Sequence, residues 1–391
     1  MRVAIIHYWL INMRGGEAVV EALLKLFPDA DIYTHVHDPS LVSDFINTHE
    51  IRTTFIQKLP FASTMYKKYL PLMPLALEEL DVTRYDLIIS SESGPAKGIV
   101  PGPNGLHVCY THSPMRYVWD QYYHYKKSSG LLNRLMMPTL SHSLRQWDVS
   151  TASRVDHFIA NSSHVSARIR KYYRRDSAVI YPPVATDAFA PVEEFTGEPF
   201  YLWAGELASY KRPDLLVAAF KASGRKLVVA GAGDCLDQLR KESCSNITFL
   251  GKVDFPILKE LMATCRALVF PGEEDFGIVP VEVMASGRPV IAYGKGGALD
   301  SVVDGQTGLL FAEQTIECIN DAIERFESCP DDQFDSASLV RHAKGFSEAT
   351  FLDRFRHQLL DYGVEESAMV GSGRQGTLRL EFDHDRRRQI A

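Results

Sequence analysis

Short apolar runs rich in β-branched and aromatic residues recur along this chain, each followed by a stretch long enough for a helix. In the first half Val3 to Tyr8, Ile32 to His35, Leu87 to Ser90, His107 to Tyr110 and His157 to Ala160 read as strands. In the second half Phe200 to Ala204, Lys226 to Ala230, Thr248 to Leu250, Ala267 to Phe270 and Val290 to Tyr293 repeat the pattern. Between them lie helical stretches such as Ala18 to Phe27, and Val165 to Tyr173 with Ser162 as a candidate cap. Alternation of this kind specifies βαβ units and parallel sheets, so the fold class expected is α/β with two doubly wound domains.

The 391 residues suffice for two to three domains at roughly 150 residues each. The seam is expected in Tyr181-Pro182-Pro183-Val184 through Pro199, where prolines interrupt the pattern, giving domains over 1–182 and 183–346. A well-patterned helix over about 347–363 is expected to pack back on the first domain, and 364–391, which includes Gly371-Ser372-Gly373, to form a poorly ordered tail. Ligands of open α/β sheets bind at the carboxyl ends of strands, so two such domains imply an interdomain cleft.

Lysine and arginine number 42 against 49 aspartates and glutamates, and the net charge of −7 has the wrong sign for a protein that wraps nucleic acid. Phosphate recognition must then be local. Six scattered cysteines show no CxxC pair and no histidine at metal-ligand spacing, which fits free thiols in a reducing compartment. The apolar opening Val3 to Tyr8 is too short for an export signal, and no run approaches the roughly 18 apolar residues of a membrane span. A cytoplasmic protein is expected.

The richest motif is the segment from Phe270 to Tyr293, FPGEEDFGIVPVEVMASGRPVIAY. A buried strand ends at Pro271, a polar turn carries Glu274, Asp275 and Gly277, and Pro280 stands where a helix starts well. Free N–H groups at Phe276, Gly277, Ile278 and Val279, with the positive end of the helix dipole, suit a diphosphate. Glu282 falls eight residues after Glu274, just inside the helix. One carboxylate then faces a sugar, and the other accepts hydrogen bonds from a ribose.

With Ala285-Ser286-Gly287 in register, this segment resembles the E-x7-E unit of retaining GT-B glycosyltransferases of family 4. Its wording is similar to that of GDP-mannose-dependent mannosyltransferases of bacterial polysaccharide assembly. The fold implied is GT-B, two Rossmann-like domains facing a cleft, with donor on the second and acceptor on the first. Further family elements follow in order up to about residue 363. Arg14-Gly15-Gly16-Glu17 lies between the first strand and helix; the resemblance places Gly15 and Gly16 at the donor pyrophosphate and the acceptor. His112, in Cys109-Tyr110-Thr111-His112, would hydrogen-bond the transferred sugar near its 6-hydroxyl. Gly205 and Lys211 would meet the pyrophosphate, although Glu206 stands where the family has arginine, which leaves Arg212 as a substitute cation. Gly231, after the Leu227 to Ala230 strand, and Lys252 and Val253, after Gly251, would line the nucleotide side. Asp300 would close the glycine loop from Gly294. Taken alone, each of these elements also fits an ordinary turn or a surface charge.

The resemblance implies catalytic roles for His112, Glu274 and Lys211, donor binding by the other residues above, and no resident cofactor. No Asp-x-Asp appears at the cleft loops, so the reaction is expected to be metal-independent, with helix dipoles serving the diphosphate. The function implied is transfer of a hexose, mannose from GDP-mannose, to a lipid-linked oligosaccharide in envelope (lipopolysaccharide) synthesis. A UDP-sugar donor, a nucleotide-sugar 2-epimerase and a weakly active nucleotide-sugar-binding protein are the alternatives; Glu206 favours the last. Two basic stretches carry apolar residues: Lys58, Lys67 and Lys68 among Phe61, Met65, Tyr66, Tyr69 and Met73, and Lys126, Lys127, Arg134 and Arg145 among Leu131 to Leu140. They suit peripheral contact with the cytoplasmic face of an inner membrane.

Overall fold

A computed structural model of the chain describes residues 1–128, 130–192, 197–330 and 332–370. The described residues form two compact units, one of Met1–Tyr181 with 352–370 and one of Pro182–Phe351. The first unit contains strands β1 (Val3–His7), β2 (Asp31–Thr34), β3 (Ile51–Thr53), β4 (Leu87–Glu92), β5 (Leu106–Thr111), β6 (His157–Ala160) and β7 (Ser177–Val179). They pair in the order β3-β2-β1-β4-β5-β6-β7, all parallel. The second unit contains β8 (Tyr201–Ala204), β9 (Leu227–Ala230), β10 (Ile247–Gly251), β11 (Leu268–Phe270), β12 (Val290–Tyr293) and β13 (Gly308–Phe311), in the order β10-β9-β8-β11-β12-β13. Each sheet therefore reverses direction of growth once, between β1 and β4 and between β8 and β11. In a doubly wound sheet those reversals leave room for a ligand beyond the carboxyl ends of the strands.

All ten apolar runs read from the sequence form strands. β3, β7 and β13 were not anticipated; each is three or four residues long and lies at a sheet edge. An edge strand pairs on one side and needs no continuous apolar run, so its pattern is faint. The central strands are the opposite case, with every residue of β1, β4, β8 and β12 buried. Helices close both faces by their apolar stripes. Helix Ile316–Glu327 sets Ile319, Ala322 and Ile323 into the core of Trp203, Phe220, Val229 and Ile291. Burying each of the two isoleucines contributes about 1.5–3 kcal/mol.

Several boundaries differ from expectation. The helix expected over Ala18 to Phe27 spans Gly15–Leu26, so Gly15 and Gly16 lie in its first turn rather than in a loop before it. The helix after β11 begins at Ile278, as expected, with Pro280 in its first turn. The closing helix is Glu348–Asp361, with Gly363 at φ 85 shortly after it. The expected tail from residue 364 begins as packed chain: Val364 and Met369 are buried, and the Val370 N–H donates to Leu26 O at 3.1 Å. The rest of that expectation, 371–391, lies outside the described residues.

A buried ion network fixes the end of β4. Lys97 is wholly buried, with Nζ 2.9 Å from Glu92 Oε1, bonded to Asp148 and 3.4 Å from the Tyr173 hydroxyl. Trp119 Nε1 donates to the other Asp148 oxygen at 2.7 Å. Burial opposes the lysine charge, but the two carboxylates outweigh it and push its proton affinity up. The network joins β4 to the helices Leu131–Thr151 and Ser163–Tyr173.

Candidate functional site

At the reversal of the second sheet the loops after β8 and β11 meet. The first passes through Gly205, makes a single 3-10 turn over Ser209–Lys211, and reaches Arg212 in the left-handed region at φ 56. Pro213 then opens the helix Pro213–Ser223 with its φ already set. The second loop crosses it so closely that a Cβ on Gly272 would lie 2.9 Å from Lys211 Cα. This approach brings Lys211 Nζ within 3.0 Å of Glu274 Oε1, with the two side chains only 15% and 19% exposed. Burial alone would lower the lysine's proton affinity; Glu274, then Tyr210 and Glu206, raise it above the ordinary value. Lys211 is therefore a fixed cation paired with Glu274, and the charge of Glu206 adds to the hold on its proton.

Backbone contacts hold both loops in place. Glu274 O accepts the Gly297 N–H at 2.9 Å, and a Cβ on Gly296 would stand 2.4 Å from that oxygen. Gly205 N–H donates to Ala230 O at 3.0 Å and Gly231 N–H to Gly251 O at 2.8 Å, joining the ends of β8, β9 and β10. Gly231, at φ 156, leaves no space for a side chain, since its Cβ would fall 1.9 Å from Gly205 O. Three residues after Glu274, Gly277 at φ 83 caps the helix Ile278–Ala285 without a side-chain bond. The first N–H groups of a helix lack intrahelical partners, so Ile278 and Val279 present donors at the positive end of the dipole. A lysine ammonium and a bare helix start beside a sheet reversal suit a phosphate-bearing ligand.

Other expected residues are arranged differently. Glu282 is buried at 3% exposure, on a helix whose residues from Pro280 to Ala285 are all buried. The Phe276 side chain packs against Phe346, with ring centroids 5.8 Å apart, so any contact it makes with a ligand would come from its backbone. Arg212, expected as the substitute cation, pairs with Asp214 at 3.2 Å on an exposed surface, while Glu206 is exposed near Lys211. Exposed Lys252 and buried Val253 follow β10, an edge strand separated from β8 by β9. Among the described residues no three His, Cys, Asp or Glu side chains are grouped as metal ligands.

In the first unit His112 follows β5 directly. Its N–H donates to Glu92 O at 2.7 Å, so the buried lysine network also fixes its backbone. His112 Nε2 lies 2.8 Å from Ser91 Oγ, which lies 3.0 Å from His7 Nδ1; His7 Nε2 is 3.7 Å from Glu17 Oε1. Burial, with His7 adding, pushes His112 down to about 3, so the ring is neutral at physiological pH. Gly15 and Gly16 adopt no positive φ, so the glycine pair does not supply the turn that the sequence suggested. At Gly16 the need is space: a Cβ would lie 2.4 Å from the Tyr8 hydroxyl.

His7 and Ser91 escaped the sequence reading. Their signal was a polar residue at the end of an otherwise apolar strand, VAIIH and LIISSE, and the register sets the two side by side.

Comparison with known proteins agrees with this architecture. Residues 13–188 match the family model described as Glycosyltransferase Family 4, and residues 185–341 match that described as Glycosyl transferases group 1. An uncharacterized glycosyltransferase of Methanocaldococcus jannaschii is 29% identical over 178 residues, 42% of this chain and 50% of that protein. The D-inositol 3-phosphate glycosyltransferase of Mycobacterium tuberculosis is 28% identical over 247 residues, 55% of this chain and 52% of that one. The matched region thus spans about half the length of these curated relatives. The crystal structure of HepE from Anabaena in complex with UDP and glucose superposes with a TM-score of 0.66 at 16% identity, covering 92% of this chain and 99% of that one. With two parallel Rossmann-like sheets and consecutive matches to both family models, the chain belongs to the family 4, group 1 glycosyltransferases and has the GT-B fold.

Proposed function

We propose that this protein transfers a hexose from a nucleotide sugar to a sugar hydroxyl with retention of anomeric configuration. The wording of the Glu274 to Glu282 segment favours mannose from GDP-mannose as the donor and a lipid-linked oligosaccharide as the acceptor. The observation that carries the reading is the Lys211–Glu274 pair at the β8/β11 reversal, with Glu274 four residues before a helix start that has no side-chain cap. The bond from the anomeric carbon to the phosphate oxygen breaks with its electron pair left on the diphosphate. Lys211 and the N–H groups of Ile278 and Val279 meet that charge as it grows. The acceptor oxygen bonds to the anomeric carbon on the same face, and its proton passes to a phosphate oxygen. Glu274 supports the positive character of the sugar, Glu282 holds the ribose, and His112 binds a sugar hydroxyl.

Purified protein given GDP-mannose, UDP-glucose or UDP-GlcNAc, with and without a lipid-linked acceptor, is followed for nucleoside diphosphate release. Acceptor-dependent release from GDP-mannose is expected, unchanged by EDTA, and Lys211→Ala should lower kcat by about 10²–10³-fold. Absence of release from every donor overturns the enzyme reading, and conversion of the donor sugar without acceptor makes the protein an epimerase. Release from a UDP-sugar alone selects the second reading, which answers to the UDP and glucose bound by the Anabaena protein.

Peripheral contact with an anionic membrane belongs to the same proposal. The first unit leaves Phe61, Leu72, Leu75, Tyr123, Leu131, Leu135 and Met136 exposed among Lys58, Lys67, Lys68, Lys127 and Arg134, whereas Met73 is buried in the core. Among the described residues no helix is long and apolar enough to cross a membrane. Co-sedimentation with phosphatidylglycerol vesicles but not phosphatidylcholine vesicles, weakening with salt, is expected; equal recovery with both refutes it.

A further inference from the structure

We propose that Ser91 and His7 are positioning residues that hold His112 in one tautomer, Nε2 protonated and Nδ1 bare, so that the ring accepts a hydrogen bond from a sugar hydroxyl. The use of that tautomer rests on the reading of His112 as a sugar contact; the tautomer itself does not.

Ser91 Oγ is within hydrogen-bond distance of two ring nitrogens, His7 Nδ1 at 3.0 Å and His112 Nε2 at 2.8 Å. One hydroxyl has one proton, so at most one of the two nitrogens accepts from it and the other must donate to it. Glu17 decides which. His7, Ser91 and Glu17 are each buried to within 1%. His7 Nε2 has no hydrogen-bond partner within reach, and Glu17 Oε1 lies 3.7 Å away. A carboxylate oxygen accepts, so a singly protonated His7 ring carries its proton on Nε2, the nitrogen that faces Glu17. Glu17 is itself held by the Arg14 backbone N–H at 2.9 Å. His7 Nδ1 is then bare and accepts the Ser91 proton. Ser91 Oγ accepts in turn from His112 Nε2–H, which leaves the lone pair on His112 Nδ1.

Strand register makes this arrangement permanent. His7 and Ser91 are direct partners at the ends of β1 and β4, and His112 is fixed through its own N–H to Glu92 O. Burial of the His112 ring keeps it neutral, so the choice between tautomers is not erased by protonation. A ring free to exchange tautomers would present a donor part of the time and would meet a substrate hydroxyl less well.

Protein labelled with ¹⁵N-histidine, with His112 assigned by His112→Gln, is examined at pH 7.5 by long-range ¹H–¹⁵N spectra. Wild type should show Nε2 protonated and Nδ1 bare. Ser91→Ala should give a mixture of tautomers and lower kcat/KM for transfer about 5–20-fold, together with the stability lost by stranding two ring nitrogens, and Ser91→Thr should restore the single tautomer and the rate. A wild-type ring protonated on Nδ1, or a tautomer unaffected by Ser91→Ala, overturns the proposal. If the tautomer behaves as stated but His112→Gln leaves transfer intact, the positioning stands and the reading of His112 as a sugar contact falls instead.

Discussion

Two histidines in the core of the first unit should make it acid-labile. His107 is wholly buried, with Nδ1 3.0 Å from Arg154 O and Nε2 2.9 Å from Ser90 Oγ. The carbonyl can only accept, so Nδ1 carries the proton and Nε2 accepts from the serine. His35 is built alike, donating to Pro95 O at 3.1 Å and accepting from Thr54 Oγ1 at 3.2 Å. Burial pushes each down to about 4. Below the unfolded value of about 6.5 the unfolded chain binds a proton that the native ring refuses. Stability is therefore complete above about pH 6.5 and is lost as pH falls toward 4. At about 1.36 kcal/mol per pH unit, lowering the pH from 7.5 to 5.0 costs about 2 kcal/mol for each ring, accrued over the 1.5 units below 6.5. Glu92, raised first by burial, acts in the opposite direction, so the clean measurement is a difference between proteins. His107→Asn keeps an amide N–H for Arg154 O and cannot titrate. Urea unfolding at pH 7.5 and 5.0, followed by tryptophan fluorescence, reports chiefly on the first unit, which holds Trp9, Trp119 and Trp147. Between the two pH values the wild type should lose about 2 kcal/mol more than the variant. Equal losses would mean that native His107 binds its proton as readily as the unfolded chain does, and would refute the assignment.

Gly231→Ala forces a Cβ to 1.9 Å from Gly205 O at φ 156 and should destabilise the second unit by at least about 2 kcal/mol, read as a lower thermal midpoint with loss of stabilisation by GDP. Lys97→Met leaves Glu92 and Asp148 buried as uncompensated neighbours and should cost about 3–5 kcal/mol, measured by urea unfolding at pH 7.5. Glu206→Arg removes one of the two carboxylates that act on Lys211; calorimetry should show GDP binding about tenfold tighter at low salt, the gain shrinking as salt rises. Unchanged affinity would take position 206 out of the phosphate environment.

Strand content was legible because both sheets are parallel and covered on both faces, so their central strands must be apolar throughout. The three strands missed lie at edges, where the same requirement lapses. The motifs around Glu274, Gly277 and Lys211 were legible because glycine, proline and charge at strand ends carry a local backbone meaning. The start of the first helix was read three residues late, at Ala18. The first turn has no intrahelical partners for its N–H groups, so residues with poor helix propensity such as Gly15 and Gly16 are tolerated there.

Local sequence was thus enough to specify the α/β class, the strand–loop–helix units and the chemical types of the candidate site residues, because each depends on spacing along the chain or on the φ that a residue permits. It could not show that Lys211 and Glu274, 63 positions apart, form an ion pair, or that Arg212 turns to Asp214. Nor could it order His7, Ser91 and His112 into one proton sequence. Those arrangements depend on which strands lie beside each other and in what register, which is decided when the whole sheet buries its apolar faces. The choice of glycine at Gly16, Gly231 and Gly272 has the same origin: at each, the atom that excludes a side chain comes from a different part of the folded chain.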